Sequence, residues 1–193
     1  MSEAPPPEIW LVRHGATEWS EARRHTGRTD VPLTDVGQRQ AASLCKPLNH
    51  QAFATVLTSP LVRARTTARI AGFAVAEVVD DLVEWDYGVY EGRTTAEIQA
   101  EQPGWSVWTH PIEDGEAIED VALRAERVLE RCADVDGRVL IIAHAHILRI
   151  LTACALGLAP RAGRVLTLDP ASISIIGSEH GAPALRRWNW LPS

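Results

Sequence analysis

Two short apolar runs in this chain each end at a histidine. Residues 9–12 lead into Arg13 and His14, and residues 139–143 lead into His144. Continuous apolar runs of this length are typical of strands that are buried on both faces of a parallel sheet. Ligands of such sheets bind at the carboxyl ends of the strands. If the two strands are neighbours, Arg13, His14 and His144 meet at one edge of the sheet.

Helical and strand patterns alternate along the rest of the chain. This alternation predicts an α/β fold with a mostly parallel sheet that is covered on both faces. Thr34 is the expected N-cap of the first helix. The further predicted strands are residues 54–58, 75–79, 139–143, 165–168, 172–177 and 184–190, and the further predicted helices are residues 60–71, 94–102, 116–132 and 146–156. The helix over 116–132 is expected to turn an apolar face inward, made by Ile118, Val121, Leu123, Val128 and Leu129.

Length and composition fit one globular domain. With 193 residues and 46% hydrophobic content, we expect a single domain over residues 8–193 after a disordered, Pro-rich tail over residues 1–7. The three cysteines are odd in number and far apart, which argues against a disulfide framework and a thiolate zinc site. No signal peptide or membrane-spanning run is recognised, so a cytoplasmic location is expected.

The net charge of −6 is unevenly distributed along the chain. Residues 8–70 carry nine Lys and Arg against five Asp and Glu, and residues 137–193 carry six against two. The segment between them, residues 77–136, carries four against seventeen. The two cationic segments therefore hold the strand-end histidines, which favours an anionic substrate. The alternative for the acidic middle is a solvated helical face.

The strand-end residues match the needs of phosphoryl transfer. A phosphate monoester requires a nucleophile, cations for the phosphoryl oxygens and an acid for the leaving oxygen. Neutral His14 is the expected nucleophile, because neighbouring arginines disfavour an imidazolium. Arg63, one turn into the helix after residues 58–60, is expected to face the site, whereas Arg65 points about 200° away on an ideal helix.

Glu84 is the expected proton donor. It stands between Val83 and Trp85, and an apolar setting favours the protonated form of a carboxyl group. Asp86, two residues on, is the rival.

Two other readings of the same residues stay open. His144 and His146 lie on one face if that segment is extended, which would suit a metal-dependent hydrolase. A domain that senses a phosphorylated ligand without turning it over is the second alternative.

Five stretches of the chain resemble the histidine phosphatase superfamily, the phosphoglycerate-mutase-like group. They occur in the family's order between residues 11 and 151: LVRHGATEW at 11–19, TGRTDVPLT at 26–34, TSPLVRARTTA at 58–68, EWDYGVYEG at 84–92 and IAHAH at 142–146.

The resemblance implies a fold and a set of roles. The fold is a three-layer α/β/α sandwich with the site at the carboxyl edge of the sheet. His14 is implied as the phosphorylated nucleophile, Arg13, Arg63 and His144 as holders of the phosphoryl oxygens, and Glu84 as general acid and then base. Further substrate contacts are implied for Ser20, Thr26, Gly27, Tyr87 and Ala145. The family uses no metal or cofactor for this chemistry.

Departures from the family pattern favour a phosphatase over a mutase. Ser20 replaces the usual Asn and Ala145 the usual Gly. The stretch from Glu84 to His144 lacks the basic insertion of cofactor-dependent mutases, since no Lys or Arg occurs between Arg93 and Arg124. We therefore expect hydrolysis of small phosphomonoesters such as sugar phosphates, with a cofactor-dependent phosphoglycerate mutase as the alternative. The expected partner is a small phosphorylated metabolite, with neither nucleic acid nor membrane, and a homodimer is left open.

Overall fold

The two histidine-terminated strands are neighbours at the centre of a six-stranded sheet. The computed structural model describes residues 7–192. Its strands are β1 (Ile9–Arg13), β2 (Phe53–Thr58), β3 (Glu77–Val78), β4 (Arg138–Ala143), β5 (Ile173–Glu179) and β6 (Ala182–Trp190), in the spatial order β3-β2-β4-β1-β5-β6. β1 through β4 pair in parallel, whereas β5 and β6 are antiparallel additions at one edge. Arg13 lies in register with Ala143, so both strand ends reach the same edge.

Helices cover both faces of this sheet. They are α1 (Glu18–Glu21), α2 (Asp35–Ser43), α3 (Cys45–Asn49), α4 (Val62–Ile70), α5 (Thr95–Glu101), α6 (Ile118–Ala133) and α7 (Ala145–Ala155). On one face Leu11 and Ile141 pack with the apolar residues of α6 and α7. On the other face Val12 and Ile142 pack with residues of the α2–α4 segment. Alternate residues of β1 and β4 therefore pack into two hydrophobic cores, one on each face of the sheet. The predicted three-layer α/β/α architecture is confirmed.

Local sequence signals explain where several helices begin. The Thr34 side chain accepts a hydrogen bond from the Gly37 amide, which confirms the predicted N-cap of α2. Thr94 caps α5 in the same way, through the amide of Glu97. Within residues 7–192, no helix has the length and apolar character that crossing a bilayer requires.

Two predicted details are wrong. Residues 165–168 form no strand: a 3-10 helix runs from Pro160 to Val165, because Pro pre-sets the helical φ at its start. Leu123 is 54% exposed, since the buried face of α6 is set by Ile118, Val121 and Ala125 at helical spacing. Residues 1–6 of the predicted tail lie outside the described residues, and the division into tail and single domain stays a prediction.

Candidate active site

His14 follows β1 directly and is buried, with 5% of its surface exposed. Its amide continues the sheet by donating to the Ala143 carbonyl at 2.9 Å. The ring nitrogen Nδ1 lies 2.7 Å from the Gly15 carbonyl oxygen. A carbonyl only accepts, so Nδ1 carries the proton and the Nε2 lone pair is free. Burial first, then the charges of Arg63 and Arg13, hold the pKa of His14 well below its usual 6.5.

Arg13 presents a guanidinium with unused donors beside His14. Nη1 donates to the Leu168 carbonyl, whereas Nε is buried and has no protein acceptor within the described residues. Burial lowers the pKa of Arg13, and the nearby carboxylates of Glu84 and Asp169 oppose that shift. A buried donor of this kind is a ready partner for an anionic oxygen.

His144 and Arg63 form a fully buried pair behind His14. Arg63 Nε donates to His144 Nδ1 at 3.1 Å, so His144 carries its own proton on Nε2, 2.7 Å from the Ser59 hydroxyl. The His14 and His144 rings have centroids 5.0 Å apart. Burial and the Arg63 charge keep the pKa of His144 well below 6.5.

Arg63 also fixes the loop that follows α1. Its Nη atoms donate to the carbonyls of Thr26, Gly27 and Thr29, which commits four of its five N–H groups when the bond to His144 is included. Arg63 points inward as expected, while Arg65 is exposed. Neither Arg63 nor His144 lines the open cavity described below.

Glu84 caps α7 from a distant part of the chain. His144, at the N-cap position, makes no side-chain cap bond. Instead Glu84 accepts from the amides of His146 at 3.0 Å and Ile147 at 2.9 Å, and from the amide of Trp85 at 3.0 Å. The amides of His146 and Ile147 have no acceptor within the helix itself, and Glu84 supplies one. The rival Asp86 accepts from the Gly88 amide and does not line the cavity.

The other residues expected to contact substrate divide into two groups. Ser20, Thr26, Tyr87 and Ala145 line the cavity, whereas Gly27 does not. The Ser20 hydroxyl is engaged with the backbone of Thr17, and the Thr26 hydroxyl donates to the Arg24 carbonyl. Gly27 is required sterically, because a Cβ there would lie 2.3 Å from the Trp85 carbonyl oxygen.

The backbone around the nucleophile is packed against α2 without intervening side chains. A Cβ on Gly15 would lie 2.3 Å from the carbonyl oxygen of Gly37, and a Cβ on Gly37 would lie 2.0 Å from that of Ala16. Two facing glycines therefore allow the turn after β1 to rest on the helix.

A cavity of about 380 Å³ opens over these groups. Arg13, His14 and Glu84 line it together, so the structure brings an imidazole, a guanidinium and a carboxyl group to one concave surface. The remaining residues of its wall are Ser20, Arg23, Arg24, His25, Thr26, Tyr87, Ala145, His146, Arg149, Leu168, Asp169 and Pro170.

His25, His146 and Arg149 are among the wall residues that the sequence analysis did not assign to substrate binding. The Tyr87 hydroxyl lies 2.5 Å from His146 Nδ1, and burial lowers the pKa of His25 to about 4. Arg149 follows Ala145 and His146 at helical spacing, and that spacing was the signal available in the sequence.

The metal alternative finds little support in this geometry. His144 turns toward Arg63 and Ser59, while His146 turns toward Tyr87 and the Trp108 ring. Among the described residues no cluster of three or more His, Cys, Asp or Glu has a metal-binding arrangement.

Comparisons with known proteins agree with this architecture. Residues 9–191 match the family model of the histidine phosphatase superfamily (branch 1). The chain is 40% identical to an acid phosphatase of Mycobacterium tuberculosis over 92% of this chain and 89% of that protein. It is 33% identical to a sedoheptulose 1,7-bisphosphatase of Saccharomyces cerevisiae, over 79% and 68% of the two chains.

A probable mutase is also among the relatives. A probable phosphoglycerate mutase of Photorhabdus laumondii is 32% identical, over 94% of this chain and 89% of that protein.

A solved structure of an open reading frame product from Mycobacterium tuberculosis has a TM-score of 0.90 and 37% identity, and the match covers 97% and 99% of the two chains.

Proposed function

The chain belongs to the histidine phosphatase superfamily, and from that membership we propose that it hydrolyses small phosphomonoesters through a phosphohistidine at His14. The tautomer of His14 is the observation that carries the proposal. Its proton is held on Nδ1 by the Gly15 carbonyl, so Nε2 is a neutral nucleophile inside the cavity.

In the first step, Nε2 of His14 attacks phosphorus and the bond from phosphorus to the ester oxygen breaks. Arg13, with its unsatisfied Nε, stabilises the charge on the phosphoryl oxygens. Nδ1–H continues to donate to Gly15, so the phosphorylated ring stays in one orientation. His144 packs edge-on against the His14 ring, and because Arg63 and Ser59 engage both of its ring nitrogens, we assign it the positioning of that ring rather than a direct contact with the phosphoryl group.

Glu84 gives its proton to the leaving oxygen in the same step. We propose that the ester binds as a monoanion and that its proton is the one that Glu84 passes to the leaving oxygen. In the second step a water attacks phosphorus, the phosphorus–nitrogen bond breaks, and Glu84 takes the proton of the water. Inorganic phosphate leaves, and His14 returns to the neutral form.

The test is a trapped intermediate. Rapid quenching of the protein with a ³²P-labelled ester under alkaline conditions should leave label on the peptide that contains His14, and EDTA should not reduce turnover. His14→Ala should show neither label nor phosphate release, while His180→Ala, on the exposed β5–β6 turn, should behave as the unchanged protein. Full activity of His14→Ala contradicts the mechanism.

The similarity to a probable phosphoglycerate mutase favours a second candidate function. A mutase keeps its phosphohistidine from water and holds a bisphosphorylated intermediate. The segment from Thr94 to Leu123, whose Trp105 and Trp108 pack on His25 and His146 of the cavity wall, contains no Lys or Arg. A second phosphoryl group would therefore have to be held by Arg23, Arg24 or Arg149. With 3-phosphoglycerate and a 2,3-bisphosphoglycerate primer, we expect phosphate release to exceed formation of 2-phosphoglycerate. Isomerisation a hundredfold faster than hydrolysis would establish the mutase.

A further inference from the structure

Arg149 lines the cavity, and the proposed mechanism gives it no role. It lies on α7, one turn beyond the two amides that bind Glu84. Its guanidinium carbon is 4.6 Å from the centroid of the Trp108 ring, and Nε and Nη2 donate to the carbonyls of Gly163 and Arg164. The stacking and the two hydrogen bonds fix the orientation of the planar group.

The charge of Arg149 has no carboxylate partner among the described residues. Within residues 7–192 no carboxylate forms an ion pair with it, and three of its five N–H groups remain after the two bonds to carbonyls. Burial lowers the pKa of Arg149, and the more distant Glu84 carboxylate opposes the shift. A half-buried cation held rigid and unpaired inside a cavity is suited to an anionic ligand.

The position along α7 fixes which part of a substrate meets this cation. Glu84, bound at the His146 amide, marks the place of the leaving oxygen. Arg149 is three residues farther, about 4.5 Å along the helix axis. The phosphoryl group lies on the other side of that oxygen, between His14 and Arg13. A group bound to Arg149 therefore belongs to the leaving alcohol, a few atoms from the ester oxygen.

We propose that Arg149 forms a second anion subsite, which selects phosphomonoesters whose alcohol carries a carboxylate or a further phosphate. This inference rests on the proposed phosphatase function and names its substrate class. Two acids, Glu84 and Asp169, share the cavity with the arginines. Glu84 is engaged by backbone amides, and Asp169 is hydrogen-bonded to Asn189, so neither neutralises Arg149 directly.

The test uses pairs of esters that differ only in the second anion. 3-Phosphoglycerate and glycerol 3-phosphate differ by a carboxylate in place of a hydroxymethyl group. Ribulose 1,5-bisphosphate and ribulose 5-phosphate differ by a phosphate. In the unchanged protein we expect kcat/KM to be about tenfold or more higher for the anionic member of at least one pair, the usual contribution of a hydrogen bond to a charged group. The pair that shows the preference identifies the anion.

Arg149→Gln should reduce that ratio to within threefold of one and leave kcat/KM for the other member within threefold. Arg161→Gln is the matched control, because Arg161 is exposed and lines a different cavity. The kcat/KM ratio of Arg161→Gln for the two esters should equal that of the unchanged protein. Thermal melting of each variant shows whether it is folded.

Three results would overturn the subsite. The first is a kcat/KM ratio near one in the unchanged protein, which decides the matter even if Arg149→Gln does not fold. The second is a folded Arg149→Gln that keeps the full ratio. The third is an equal loss of the ratio in Arg161→Gln, which would assign the preference to the general field of the protein. If no ester of either pair releases phosphate, the proposed phosphatase function itself fails, and the subsite with it.

Discussion

Acidification should destabilise this protein through four histidines of its site. Burial holds the pKa of His14, His144 and His146 well below the ordinary value of 6.5 and lowers that of His25 to about 4. Below pH 6.5 the unfolded chain therefore binds four protons that the folded protein does not. Because the unfolded state binds more protons, the free energy of unfolding falls as the pH falls through 6.5.

The size of the effect follows from the same linkage. For four histidines that stay neutral when folded, the free energy of unfolding should be about 5 kcal/mol lower at pH 5.5 than at pH 7.5. That is a large part of the total stability of an ordinary domain, roughly 5–15 kcal/mol. Carboxylates of ordinary acidity remain largely ionised over this interval, so the histidines dominate it.

Urea denaturation at pH 7.5, 6.5 and 5.5 measures the effect, in buffers without phosphate so that no ligand occupies the site. His14→Asn should remove about a quarter of the pH dependence, whereas His180→Asn, at an exposed turn, should leave it unchanged. A decrease of less than 1 kcal/mol in the unchanged protein would refute the reasoning, since it would mean that the folded site accepts these protons.

Three further outcomes are expected. Glu84→Gln should slow the hydrolysis of alkyl phosphates by about 10²–10⁴-fold. It should spare aryl phosphates with acidic leaving groups in the phosphorylation step, which the phenolate burst measures. Equal slowing of both substrate types would transfer the role of general acid to Asp86. Arg63→Ala should lower kcat/KM at least about thirtyfold, the loss expected for a transition-state donor or its support, whereas Arg65→Ala should change it less than threefold. Gly15→Ala should cost about 1–3 kcal/mol in urea denaturation through contact with the Gly37 carbonyl. A cost no larger than that of Gly177→Ala, where the new Cβ meets the flexible side chain of Arg186, would contradict the contact.

The sequence predicts the sheet centre well because its signal is strong there. β1 and β4 are buried on both faces, so they read as uninterrupted apolar runs that nothing else in the chain imitates. The prediction of a strand over residues 165–168 is wrong for the opposite reason. They are a short apolar stretch whose conformation is set by the preceding 3-10 turn and by contacts that no local pattern records.

The residues of the site divide in the same way into those that the sequence predicts and those that it does not. His14, Arg13 and Glu84 follow or adjoin recognisable elements, and the structure brings them to one cavity. The partners of Arg63 are carbonyl groups of a remote loop, and backbone acceptors carry no residue-specific signal. Arg149 depends on stacking with Trp108, which is about forty positions away in the chain and meets it only through tertiary packing.

The facing glycines beneath His14 have a consequence for how the selectivity of this phosphatase-family protein can diverge. Backbone meets backbone at Gly15 and Gly37, so no side chain there can be exchanged to move His14 by a small step. The wall around Arg149 and Trp108, in contrast, is made of side chains, each replaceable with little effect on the turn after β1. Natural variants and laboratory libraries should therefore change which alcohol is accepted long before they change how phosphorus is attacked.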